Sequence, residues 1–117
     1  MKRILYILLT CLALLGCQEE ARQMPITEFS QQDLKGGDLL VDVRTPGEYE
    51  EGHLEGAVNI DWMAEDFGSK WDTIAKDRKV YVYCKVGGRS AKAADYLDSL
   101  GYTVVDLTGG RDAYKTQ

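Results

Sequence analysis

Among the residues of this sequence, Cys84 has the most chemistry to offer, and it is followed by Lys85-Val86-Gly87-Gly88-Arg89-Ser90. A β-branched and aromatic run, Lys79 to Tyr83, leads straight into the cysteine, and a helical pattern leaves from Ser90. Two adjacent glycines permit positive φ, so successive amides can turn inward toward one point. A helix that begins there adds unpaired N–H groups and the positive end of its dipole. Lys85 and Arg89 add cationic side chains. Each of these features favours an anion at position 84, and a thiol in electropositive surroundings is a reactive nucleophile. A buried structural cysteine before an ordinary glycine turn is the plain alternative. The coincidence of strand end, glycine pair, two cations and helix start weighs against it.

The rest of the chain supplies elements that could hold such a loop. Leu39-Leu40-Val41-Asp42-Val43 is an apolar run suited to a buried strand. Ala57 to Ile60 and Thr103 to Leu107 are two more short strand patterns. Ser30-Gln31-Gln32-Asp33 resembles a capping box that opens a short helix, stopped at Gly36-Gly37. Pro46 stands at the first position of a helical turn opened by Thr45. Trp62 to Ala75 has loosely helical apolar spacing, interrupted by Gly68. Ser90 to Leu100 is a clearer helix, with Ala91, Ala94, Tyr96, Leu97 and Leu100 on its apolar face and Gly101 as its stop. A last helical turn follows Gly109-Gly110. Strands alternating with helices predict an α/β fold with a mostly parallel sheet covered on both faces. Sites in such sheets lie at the carboxyl ends of strands, where Cys84 falls.

Three stretches together resemble the rhodanese family. Cys84, Gly87 and Arg89 fill its active-site pattern Cys-x-x-Gly-x-Arg. Leu40 to Tyr49, continuing through Gly52-His53-Leu54-Glu55-Gly56-Ala57-Val58-Asn59-Ile60, is similar to its Asp-Val-Arg and Gly-His signature. Leu107-Thr108-Gly109-Gly110 matches near the end. The resemblance spans Ile26 to Tyr114 and implies a single rhodanese-like domain, a central five-stranded parallel sheet flanked by helices. It implies a sulfurtransferase that moves sulfane sulfur from thiosulfate or a related small anionic donor, through a Cys84 persulfide, to cyanide, a small thiol or a protein thiol. No metal or organic cofactor is implied. Lys85, Val86, Gly87, Gly88, Arg89 and Ser90 would hold the anion, with Arg89 equally readable as a structural clamp on the loop. Cysteine phosphatases use a longer cradle, whereas here four residues separate Cys84 from Arg89, a ring suited to one sulfur rather than a phosphate. His53, the single histidine, belongs to the scaffold signature rather than to the chemistry. Asp42 and Arg44 read as an ion pair or loop anchor, and Trp62 and Trp71 as core or pocket rim. Tyr114 stands where the family often has tryptophan, which bears on donor and acceptor preference. A persulfide carrier and a non-catalytic interaction module on the same scaffold are the rival functions.

The N-terminus reads separately. Lys2-Arg3 precedes an apolar stretch from Ile4 to Leu15, too short to span a bilayer and typical of a secretory signal. Leu14-Leu15-Gly16-Cys17 resembles a bacterial lipobox. The expected organisation is therefore a lipoprotein signal peptide over 1–16, a lipidated Cys17 with a tether over 17–23, and the domain over 24–117. More than one acyl chain on Cys17 would hold the protein stably on a membrane of the cell envelope, outside the cytoplasm. Loss of the first 16 residues takes Lys2 and Arg3 with it and moves the net charge from −5 to −7. That acidity argues against nucleic acid as a partner. Cys84 would be left as a thiol with no disulfide partner.

Overall fold

Five short parallel strands form one sheet in the order β1-β5-β4-β2-β3 in the computed structural model, which describes residues 21–114. The strands are β1 (Arg22–Pro25), β2 (Leu39–Asp42), β3 (Val58–Asn59), β4 (Lys79–Tyr83) and β5 (Thr103–Thr108), and the helices are α1 (Pro46–Glu51), α2 (Gly88–Ser99) and α3 (Gly110–Ala113). The central strands β4 and β2 carry runs of buried residues because both of their faces are covered. On one face Val41, Val43, Val80, Val82 and Val104 pack beneath Ala93, Ala94 and Leu97 of α2, with Trp71 and Phe67 completing the layer. On the other, Leu40, Tyr81, Val105 and Leu107 meet Ile26, Phe29, Leu54 and Ala57, flanked by Tyr49 of α1 and Ala113 of α3. This is the expected α/β domain.

Several boundaries differ from expectation. Arg22 and Gln23, read above as tether, lie in β1, which pairs with β5 from Arg22↔Val105 to Pro25↔Thr108. An edge strand held by backbone bonding needs no apolar alternation, and only Met24 of the four is even half-buried, so the sequence carries no pattern there. The stretch from Trp62 to Ala75 is a chain of turns with one 3₁₀ turn, Ser69–Trp71, rather than a helix. Its apolar residues still reach the core: Trp71 is 1% exposed and Trp62 packs edge-on to Phe67 at 4.9 Å. The Ser30 region is likewise a single 3₁₀ turn, Gln31–Asp33, with the Asp33 carboxylate accepting from the Ser30 N–H at 2.8 Å. The signal stretch and Cys17 lie outside the described residues. Among the described residues no helix is long and apolar enough to cross a membrane.

Candidate active site in the loop after β4

β4 ends at Tyr83, and Cys84 follows it, 1% exposed, at the carboxyl edge of the sheet. Gly87 adopts φ +123, which turns the chain so that its own N–H donates to Cys84 Sγ at 3.0 Å. The thiol donates in turn to Ser90 Oγ at 3.5 Å, and that hydroxyl donates to the Gly87 carbonyl at 3.2 Å. Helix α2 begins at Gly88, two residues before the expected Ser90. The amides of Gly88, Arg89 and Ser90 therefore open a helix and have no acceptor within it. The loop thus gives the sulfur one amide directly and offers further N–H groups and a helix N-terminus beside it. Val86 projects outward from the loop, 67% exposed.

The two loop cations are both occupied. Arg89 makes a two-pronged contact with Glu48 of α1, Nη1 to Oε1 at 2.7 Å and Nη2 to Oε2 at 3.0 Å. Glu48 also accepts from the N–H and the hydroxyl of Thr45, the N-cap of α1. The Arg89 contact, foremost, pulls the Glu48 carboxyl down to about 2. Lys85 Nζ pairs with both carboxylate oxygens of Asp112 at 2.9 Å, an exposed contact.

The loop is held from behind by α3. Arg111 N–H donates to the Cys84 carbonyl at 2.7 Å and Asp112 N–H to the Lys85 carbonyl at 3.0 Å. Gly110 makes this possible, because its φ is +67 and a Cβ there would overlap the Lys85 carbonyl. The Gly109-Gly110 pair was visible in the sequence, but its task of letting one backbone segment approach another was not. Glu48 and Asp112 were also missed, since nothing in the chain marks a partner 41 or 27 positions away. Asp106 of β5 was missed as well, a carboxyl buried on the sheet face that α2 covers.

The remaining candidates fall into scaffold positions. Asp42 and Arg44 form a buried, two-pronged pair, with Arg44 Nη2 to Asp42 Oδ2 at 2.6 Å and a further bond from Nη2 to the Gly52 carbonyl at 2.7 Å. Tyr83 lies under this guanidinium, accepts from Leu54 N–H at 3.0 Å, and is pushed well above the ordinary phenol range by burial. His53 is exposed, stacked on Tyr49 with ring centroids 3.7 Å apart, and its Nδ1 bonds the Tyr49 carbonyl at 2.9 Å, so it makes no bond to Cys84. Tyr114 is partly buried against the α3 face of the core.

With this geometry in view, the comparisons with known proteins agree on one kind of domain. A family model described as Rhodanese-like domain matches residues 26–117. The chain is 36% identical over 72 residues to the thiosulfate sulfurtransferase PspE of Escherichia coli, a match covering 60% of this chain and 67% of that protein. It is 40% identical over 73 residues to a sulfurtransferase of Allochromatium vinosum, covering 62% of this chain and 66% of that one. The crystal structure of a rhodanese-like domain protein from Staphylococcus aureus superposes with a TM-score of 0.71 at 27% identity, over 82% of this chain and 93% of that one.

Proposed function

Since this chain belongs to the rhodanese-like domain family, whose members similar to it include sulfurtransferases, we propose that it transfers sulfane sulfur through a persulfide on Cys84, with thiosulfate or a related anion as donor. The Cys84 thiolate attacks the outer sulfur of the donor. A new S–S bond forms, the donor's S–S bond breaks, and sulfite leaves with the electron pair. Cyanide, a small thiol or a protein thiol then attacks the terminal sulfur of the persulfide and releases the Cys84 thiolate. Dividing one transfer into two covalent steps is nucleophilic catalysis. The observation that carries this reading is the 3.0 Å bond from Gly87 N–H to Sγ beside a helix start with further unpaired amides. Those donors are fixed before any charge develops, so an anionic terminal sulfur would be stabilised without reorganisation.

The test is thiosulfate:cyanide turnover with the intact mass of the protein, in the wild type and in Cys84→Ser. Turnover in the wild type, a gain of one sulfur on incubation with donor, and loss of both in the variant are expected. No sulfur gain from any donor would end the proposal.

One observation favours a second reading, a carrier loaded by another protein's persulfide. Lys85 and Arg89 already have carboxylate partners, which leaves less free positive charge for a small dianion than the sequence suggested. Mass gain from a protein persulfide without thiosulfate turnover would select it.

We further propose that Cys17 carries lipid and holds the domain at a membrane of the cell envelope, the intervening residues serving as spacer. The lipobox-like Leu14-Leu15-Gly16-Cys17 supports this. Replacing Cys17 by Ser should move the protein to the soluble fraction, and a variant that stays with membranes would refute the anchor.

A further inference from the structure

The register of β1 shortens the tether between a lipidated Cys17 and the domain. The sequence places that tether over 17–23, but β1 starts at Arg22 and pairs along β5 from Val105 to Thr108. Ala21, just before it, already packs against the core layer beneath α2. Residues 18–20 alone separate Cys17 from the folded domain. An extended chain advances at most about 3.6 Å per residue, so the Cα atoms of Cys17 and Ala21 lie no more than about 14 Å apart.

Direction matters as much as length. Every strand pairing is parallel, so the chain enters β1 at the end of the sheet opposite Cys84. Arg22 is level with Val105, and Val80 with Val104, which puts Ala21 level with Val80. Cys84 is four residues further along, about 13 Å at about 3.3 Å per residue. To turn the site toward a bilayer, the tether would have to double back beside β1 to the level of Thr108, again four residues and about 13 Å. It would then still have to clear Gly109, Gly110 and α3, which follow β5. Its contour is spent before that.

The entry end of the sheet is built from the turns that feed β2, β4 and β5. Lys35, Lys76, Arg78 and Lys79 stand there, with Asp38 and Asp77 among them and Asp98 at the close of α2. Arg78 Nε donates to the Gly37 carbonyl and so ties the turn before β4 to the turn before β2. Lys76 lies over the Tyr102 ring, 5.7 Å from its centroid. Charges of both signs are mixed on this face, so tether length rather than attraction to anionic headgroups sets which way the domain stands.

We propose that the protein rests on the bilayer by this entry end, with the Cys84 loop on the far side facing water. Sulfur donors and acceptors then reach Cys84 from the aqueous compartment, not from within the membrane. This orientation rests on lipid at Cys17 and is independent of the persulfide chemistry.

The test uses the full chain, processed and lipidated in a bacterial host, in vesicles of phosphatidylethanolamine and phosphatidylglycerol with nitroxide on a fraction of the headgroups. In a Cys84→Ser background, a bimane fluorophore is attached through Asp77→Cys at the entry end or Val86→Cys on the loop, both exposed positions. Thermal melts establish that each variant folds. The nitroxide should quench the probe at 77 several-fold more than the probe at 86, and iodide in the surrounding water should show the reverse order. A flexible Gly/Ser insert of about 20 residues after Gln18, with a mean reach of about 25 Å, should erase most of the difference. Equal quenching at the two positions, or stronger quenching at 86, in protein that floats with the vesicles would overturn the orientation and leave the anchor standing. A difference that survives the insert would also overturn it, since the tether would not be what sets it. Protein that neither floats nor carries lipid mass on Cys17 would end the anchor and the orientation together.

Discussion

Two neighbouring strands deliver polar residues to the same edge of the sheet and treat them in opposite ways. β2 ends at Asp42, in register with Tyr83 of β4, and Cys84 is the next residue along. At the end of β2 the carboxylate is 0% exposed and meets the main-chain N–H, Nε and Nη2 of Arg44, which is itself 5% exposed and capped by the Gly52 carbonyl. Asn59 closes the turn by donating to the carbonyls of both residues. The carboxylate and the guanidinium there each have several partners, which is what a buried pair requires. At the end of β4 the sulfur has a single amide and a serine hydroxyl, and the helix that follows begins with amides that have no acceptor in it. Saturation makes the first region a strut. Surplus donors make the second a place where negative charge is welcome.

Breaking the strut should cost the most. Asp42→Ala leaves a buried guanidinium with the Gly52 carbonyl and the Tyr83 ring but no counter-charge, and loss of one partner of a buried pair destabilises by about 3–5 kcal/mol. Urea unfolding reports this as a lowered midpoint with an unchanged slope. Cys84→Ser should do the reverse, abolishing sulfur loading while costing only about 1 kcal/mol, the ordinary effect of a buried substitution that strands no charge. If the two variants lost stability equally, the division into strut and site would not hold.

The same contrast decides how much was legible in the chain. The β4–Cys84–glycine–helix succession is local, and local patterns of strand, turn and helix start could be read residue by residue. Lys79 to Tyr83 matched its strand without adjustment, and the capping of α1 by Thr45 with Pro46 following was equally plain. What escaped was long-range or patternless. The β1 edge strand has no burial alternation to betray it. Arg89 could be read as donor-binding or as clamp, and the clamp partner Glu48 lies on another helix. Asp106 sits in an apolar run, where a lone acid gives no hint that it is buried with its neighbours. Gly110 shows its reason only when the Lys85 carbonyl is beside it. Backbone chemistry was written in the order of the residues; pairing between elements was not.

One contact joins the strut to the site. Thr45 caps α1 directly after Arg44, Glu48 completes that capping box, and the same carboxylate grips Arg89 in the first turn of α2. A carboxylate whose folded-state value is lowered stabilises the protein above its ordinary range, about 4.5, and loses that contribution as pH falls through about 2. Glu48→Gln keeps the shape and part of the capping but not the charge. It should therefore lower stability at pH 7 by about 1 kcal/mol or less, as expected for a partly exposed ion pair, and the gap should close as the wild type is titrated from pH 5 toward 2. Asp106→Asn should move oppositely. Its folded-state value is raised, so the wild-type acid favours folding below its ordinary range and loses that contribution as pH rises; the variant should melt higher than the wild type at pH 7 and converge with it in acid. Two melts of the same sign at neutral pH would mean that one of these carboxyls does not sit in the surroundings assigned to it. Opposite signs with a common acid limit would show one carboxylate tying the two regions together and one buried acid, behind the nucleophile, that the fold prefers uncharged.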